Sequence, residues 1–172
     1  LISDELKRLQ PRAYRVLNFS DPFGARSHVH DRPSVPPIHY ARLCLERGIE
    51  FEAIGLQFYF GIKRYFSCRD LLTIAETLAA FSALGKDIRI TELGCPSRHA
   101  VDPACFFASD HPAAGGYWHA PWSEALQAEF VEKVCALLAS EPRVKAVTWW
   151  DFADKGVSQD IGIAVTPQTF LE

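Results

Sequence analysis

The chain has 172 residues, a formal net charge of −3 at pH 7 and a pI of about 6.1. Hydrophobic residues make up 48% and aromatic residues 12%, which suits one domain with a packed core and excludes a disordered chain. A mildly acidic chain with no basic stretch sets aside nucleic acid and acidic membranes as partners, and no apolar run reaches the roughly 20 residues of a bilayer span.

Leu1 to Glu5 carry neither the basic flank nor the apolar centre of a signal peptide. The sequence contains no methionine, so Leu1 is not expected to be the natural start, and the compartment stays open. Five cysteines, Cys44, Cys68, Cys95, Cys105 and Cys135, form no Cys-x-x-Cys pair and read as buried thiols. Cys95 and Cys105 flank a loop and could pair in an oxidising compartment.

In chain order, residues 3 to 9 read as the end of a helix halted at Gln10-Pro11. Tyr14 to Phe19 alternates as a strand, and a Pro- and His-rich loop extends from there as far as Pro37. Pro37 to Arg47 predicts a helix stopped by Gly48, with Ile38, Ala41 or Arg42, and Leu45 along one side. Phe51 to Tyr59 is the next strand. Ser67 and Asp70 form a Ser-x-x-Asp capping box ahead of a helix striped by Leu71, Ile74, Ala75, Leu78 and Phe81 and ended by Gly85. Ile88 to Gly94 is a third strand. The loop from Cys95 to Trp122 carries Trp118, His119 and Trp122. Ser123 caps a helix with Leu126, Phe130, Val134, Leu137 and Leu138 on one side, stopped at Pro142, and Val144 to Trp150 closes the series as a strand.

Helix, Gly or Pro stop, short connection, strand: this unit occurs three times, with a partial copy at the N-terminus. Parallel strands need helical crossovers of this kind, so the fold class is β/α. Asn18, Gln57, Tyr59, Glu92 and Trp150 all fall at strand C-termini. Glu92 ends its strand just before Gly94, where a carboxylate is costly unless paired or used. Arg89 is the charged neighbour, and simple alternation points it to the face opposite Glu92. Glu92 is therefore either an ion-pair partner at a strand end or a catalytic carboxylate at the mouth of an α/β barrel. His28-Val29-His30 raises a metal site, but the later strand ends offer Tyr59, Glu92 and Trp150 instead of further ligands, so no metal and no cofactor are expected. Nor does the chain hold a phosphate loop, a serine nucleophile elbow or a dinucleotide fingerprint.

Four stretches resemble the C-terminal half of the family 10 glycoside hydrolases, the xylanase family of a retaining (β/α)8 clan: Gly48 to Tyr59, Ile90 to Leu93 (Ile-Thr-Glu-Leu), Gln127-Ala128-Glu129 and Val144 to Lys155. They look like that family's sixth strand, nucleophile strand, seventh helix and eighth strand, with Tyr14 to Asp21 where the fifth strand should be. The resemblance implies that residues 1–172 are a partial (β/α)8 domain, roughly strands 5 to 8, lacking the N-terminal half-barrel. It implies Glu92 as the nucleophile, Gln57 as a sugar-subsite amide and Trp150 as the indole flooring that subsite. Asn18 and Asp21 at the first strand end and Trp118 with Trp122 in the loop are candidate substrate contacts, the two indoles being equally loop anchors; Asp151 and Asp154, just past the last strand, are expected at the solvated cleft rim, with substrate hydroxyls as the alternative.

This chain departs from the family pattern twice. Tyr59 stands where the family usually has a histidine two residues after the glutamine, and Gly94 where it usually has an aspartate two residues after the nucleophile. Those two side chains form a relay onto the nucleophile in the family; here the Tyr59 hydroxyl can donate to Glu92 unaided and orient it. Retaining chemistry also needs an acid/base roughly 5–5.5 Å from the nucleophile, which the family carries in an Asn-Glu pair that this chain lacks. The expected partner is thus a polysaccharide or oligosaccharide, cleaved with the help of the missing half-barrel. A non-catalytic carbohydrate-binding or scaffold module descended from such a barrel is the alternative. Secretion would be usual for the resembled family.

Overall fold

The computed structural model describes residues 2–24, 34–60, 70–95, 97 and 118–149. His28, His30, Ser67, Cys68, Cys105, Trp150, Asp151 and Asp154 lie outside the described residues. The order of elements is α1 (Ile2–Leu9), β1 (Val16–Phe19), α2 (Pro37–Glu46), β2 (Ala53–Tyr59), α3 (Leu71–Ser82), β3 (Asp87–Gly94), α4 (Glu124–Ser140) and β4 (Val144–Trp149). The strands form one sheet in the order β1-β2-β3-β4, every pair parallel.

Local chemistry explains where the helices begin and end. Pro37 opens α2 with its φ already helical and no N–H to satisfy. At the other end Gly48 takes φ 67°, its N–H reaches Leu45 O and the Ile49 N–H reaches Cys44 O. That pair of bonds is a Schellman stop, which glycine adopts without a Cβ penalty. Asp70 is itself the N-cap of α3: it accepts from the Thr73 N–H at 2.7 Å and from the Thr73 hydroxyl at 3.0 Å. The helix therefore starts three residues later than a cap at Ser67 would set it. Ser123 caps α4 by accepting from the Leu126 N–H.

The helices α2, α3 and α4 cover one face of the sheet. Ala41 and Cys44 from α2, Ile74, Leu78 and Phe81 from α3, and Leu126, Phe130, Val134 and Leu138 from α4 meet Ile54, Leu56, Phe58, Ile88, Ile90 and Leu93 from the strands. Each large side chain so buried contributes about 1.5–3 kcal/mol. Phe130 sits at the centre, with its ring 5.0 Å from Phe60, 5.1 Å from Trp118 and 5.5 Å from Trp122. Cys44 and Cys95 are buried as expected, whereas Cys135 is exposed. It comes directly after Val134, so the helical turn carries it off the apolar stripe.

An ionic clamp holds the opposite, N-terminal ends of β1 and β2. Arg15 grips Glu52 with two guanidinium nitrogens at 3.1 and 2.6 Å and with its backbone N–H at 2.6 Å. These bonds, the guanidinium's first, hold the Glu52 carboxyl down to about 2. Glu50, paired with Lys7 and accepting Ser3 at its carbonyl, ties α1 to the same end.

Strand β3 does not keep an unbroken alternation. Leu56 pairs with Ile90, but the next residue of β2, Gln57, pairs with Glu92, so Thr91 is an extra residue in β3. The same step appears on the other side, where Ile90 pairs with Val147 and Leu93 with Trp149. Such a bulge rotates the residues beyond it. Ile90 and Leu93 both lie on the helix-covered face, fully buried, and Thr91 and Glu92 both lie on the open face. Arg89 pairs with Gly55, two residues before Gln57, and so shares that face with Glu92. The expectation that they point apart fails because it assumed a regular strand. Arg89 instead lies over the Tyr14 ring at 4.7 Å.

Candidate active site

The C-terminal ends of β2 and β3 bring three of the expected residues together. Gln57 and Tyr59, two positions apart on β2, face the same way and both reach Glu92. The Gln57 side-chain amide donates to Glu92 Oε1 at 2.7 Å, and the Tyr59 hydroxyl donates to Oε2. Among the described residues no cation pairs with Glu92, so the carboxylate is held by neutral donors. Among the described residues this arrangement fixes both carboxylate oxygens through uncharged donors. The ion-pair reading of Glu92 has no support among the described residues.

Asn18 stands one strand further away, on β1. Its Oδ1 accepts from the Thr91 hydroxyl at 2.7 Å across Gly55 of the intervening strand. Neither Thr91 nor Gly55 was expected from the sequence to take part. A glycine inside a strand signals close approach by another group, and that signal was available at Gly55.

Trp118 packs edge-on against Phe130 and beside His119, whose ring is 4.5 Å away. The contact with Phe130 holds the Trp118 ring against α4. Trp122 is 3% exposed and belongs to the core. Gln127, also buried, donates its amide to the Cys95 carbonyl at 2.8 Å and so fastens α4 to the chain just beyond β3. Asp21 is buried in the turn after β1. Among the described residues no group of three or more potential metal ligands occurs, and no helix is long and apolar enough to cross a membrane.

Parallel strands in sequential order, helices on one face and polar side chains at the strand C-termini define part of a (β/α)8 barrel. Solved structures share this fold. GH10 from Paenibacillus barcinonensis is 20% identical with a TM-score of 0.61, over 95% of this chain and 43% of that one. Native xylanase 10B from Thermotoga maritima is 19% identical with a TM-score of 0.60, over 90% and 40%. The Thermobacillus composti GH10 xylanase is 18% identical with a TM-score of 0.63, over 95% and 49%. The chain thus spans less than half the length of each of these proteins. No curated protein sequence matches it. The family model for glycosyl hydrolase family 10 matches residues 36–159, and the chain belongs to that family.

Proposed function

We propose that this chain is the C-terminal half of a retaining glycoside hydrolase whose nucleophile is Glu92. The observation that carries the reading is the Glu92 carboxylate at the open end of the sheet, gripped by Gln57 and Tyr59. In the reaction one Glu92 oxygen attacks the anomeric carbon as the leaving sugar departs, forming a covalent glycosyl-enzyme that water then hydrolyses. Tyr59 replaces a histidine–aspartate relay with a single hydroxyl donor. Gln57 holds the carboxylate with its amide nitrogen, and its carbonyl remains to accept from a sugar hydroxyl. Trp150 is proposed to meet the sugar, with its ring against the C–H face.

The general acid/base comes, in this reading, from a complementary N-terminal half-barrel, so residues 1–172 by themselves cleave no unactivated polysaccharide. The substrate class is a β-1,4-linked polysaccharide of the xylan type, by analogy with the neighbouring xylanases. A non-catalytic sugar-binding module is the competing reading, and one experiment separates them.

The test is labelling of the full chain with a 2,4-dinitrophenyl 2-deoxy-2-fluoro-xylobioside. Its leaving group departs without acid assistance, so the nucleophile alone suffices. The expected result is one covalent sugar on the peptide containing Glu92, and none on Glu92→Gln, with that variant's thermal unfolding unchanged. Sugar binding without labelling, or labelling at another residue, would sink the nucleophile assignment.

A further inference from the structure

The Asn18–Gly55–Thr91 arrangement connects three strands through side chains, and the proposed chemistry does not use it as such. Three observations locate it. Thr91 is the extra residue of the bulge that turns Glu92 onto the open face. Its hydroxyl donates to Asn18 Oδ1 at 2.7 Å and also stands 3.4 Å from the Leu56 carbonyl, at the step in register. Gly55, between them, leaves no room for a side chain: a Cβ there would lie 2.3 Å from Asn18 Oδ1 and 3.0 Å from Thr91 Cγ2.

We infer that Asn18, Gly55 and Thr91 form a clamp that fixes the bulge and thereby aims Glu92, making Asn18 and Thr91 positioning residues for the nucleophile. The inference rests on the assignment of Glu92 above. A bulge leaves its extra residue outside the strand ladder, so its conformation depends on whatever side-chain contacts it makes. Here the contact is made to β1, two strands away, because the glycine lets the Asn18 carboxamide lie flat across β2. The clamp binds Thr91 whether or not substrate is present. Its loss therefore acts on the geometry of attack, not on sugar affinity, and small errors of placement at a reacting atom are costly.

The measurement is the rate of labelling by the same fluoro-xylobioside in Thr91→Val, Thr91→Ser, Asn18→Ala and the Thr91→Val/Asn18→Ala double variant of the full chain. Thr91→Val and Asn18→Ala are each expected to slow labelling at saturating reagent by about tenfold. The half-saturating concentration should stay within about twofold. Thr91→Ser, which keeps the hydroxyl, should label like the parent, and the double variant should be no slower than either single one. Additive losses, a change confined to the half-saturating concentration, or failure of serine to restore the rate would each overturn the clamp and leave the nucleophile assignment standing.

Should the parent take no label at Glu92, that assignment falls. The clamp is then judged from the Gln57 side-chain amide resonances, since that amide donates to Glu92. Displaced resonances in Thr91→Val and Asn18→Ala would retain it as a clamp on the carboxylate, and unmoved ones would remove it.

Discussion

The two faces of the sheet are made by the same strands and obey different rules. Toward the helices stand Ile54, Leu56, Phe58, Ile88, Ile90 and Leu93, each at 0–1% exposure. Toward the open side stand Asn18, Gln57, Tyr59, Arg89, Thr91 and Glu92, polar and joined largely by hydrogen bonds. The first set holds the chain together by excluding water and tolerates little change in volume. The second set contributes little apolar burial, and its value lies in where a carboxylate, an amide and a phenol stand relative to one another. Stability and chemistry are thereby separated by the thickness of one strand layer.

Substitutions on either face probe that separation. Phe130→Ala empties the centre of the aromatic cluster and should cost about 3–5 kcal/mol of unfolding free energy. Chemical denaturation reads this, and a loss below about 1 kcal/mol would mean that the cluster is peripheral to the core. Tyr59→Phe removes one hydroxyl from the open face. It should slow labelling at Glu92 by about 10²-fold with an unfolding midpoint near the parent's; an unchanged rate would separate Tyr59 from the mechanism.

The smallest effect belongs to neither face but to the clamp below them. The Glu52 carboxyl is depressed to about 2 by Arg15, so the unfolded chain takes up the proton first as pH falls. The stabilisation is present above the ordinary carboxylate value of about 4.3 and disappears as pH drops toward 2. Glu52→Gln should therefore flatten the loss of thermal stability between about pH 4.5 and 2, while leaving labelling at neutral pH untouched.

Much of this arrangement is legible in the sequence because it obeys short-range rules. Gly48, Gly85 and Ser123 punctuate the helices where their backbone chemistry requires, and the apolar stripes of α3 and α4 land on the core. Gln57, Tyr59 and Glu92 were expected at strand ends and meet there. The relation of Arg89 to Glu92 was misread, since period-two counting assumes a constant phase and nothing in Ile-Thr-Glu-Leu announces an extra residue. The start of α3 was misplaced for a related reason: Ser67 and Asp70 are both good caps, and local sequence does not choose between them. Gly55 is the opposite case, where a visible signal was not taken up.

Residue counting within β3 carries a consequence for inheritance. Surface loops absorb gained or lost codons with little penalty, but losing the one for Thr91 would restore an even pleat from Ile88 onward. Glu92 would then follow Ile90 directly and still face the mouth, Leu93 would stay in the oily layer under α3 and α4, and the Thr91 hydroxyl that ties this strand to Asn18 would be gone. A missing triplet at this place would therefore spare the direction of the acid and the filling of the core while removing a side chain that reaches β1, so the length of this strand and the bracing of its tip are inherited separately.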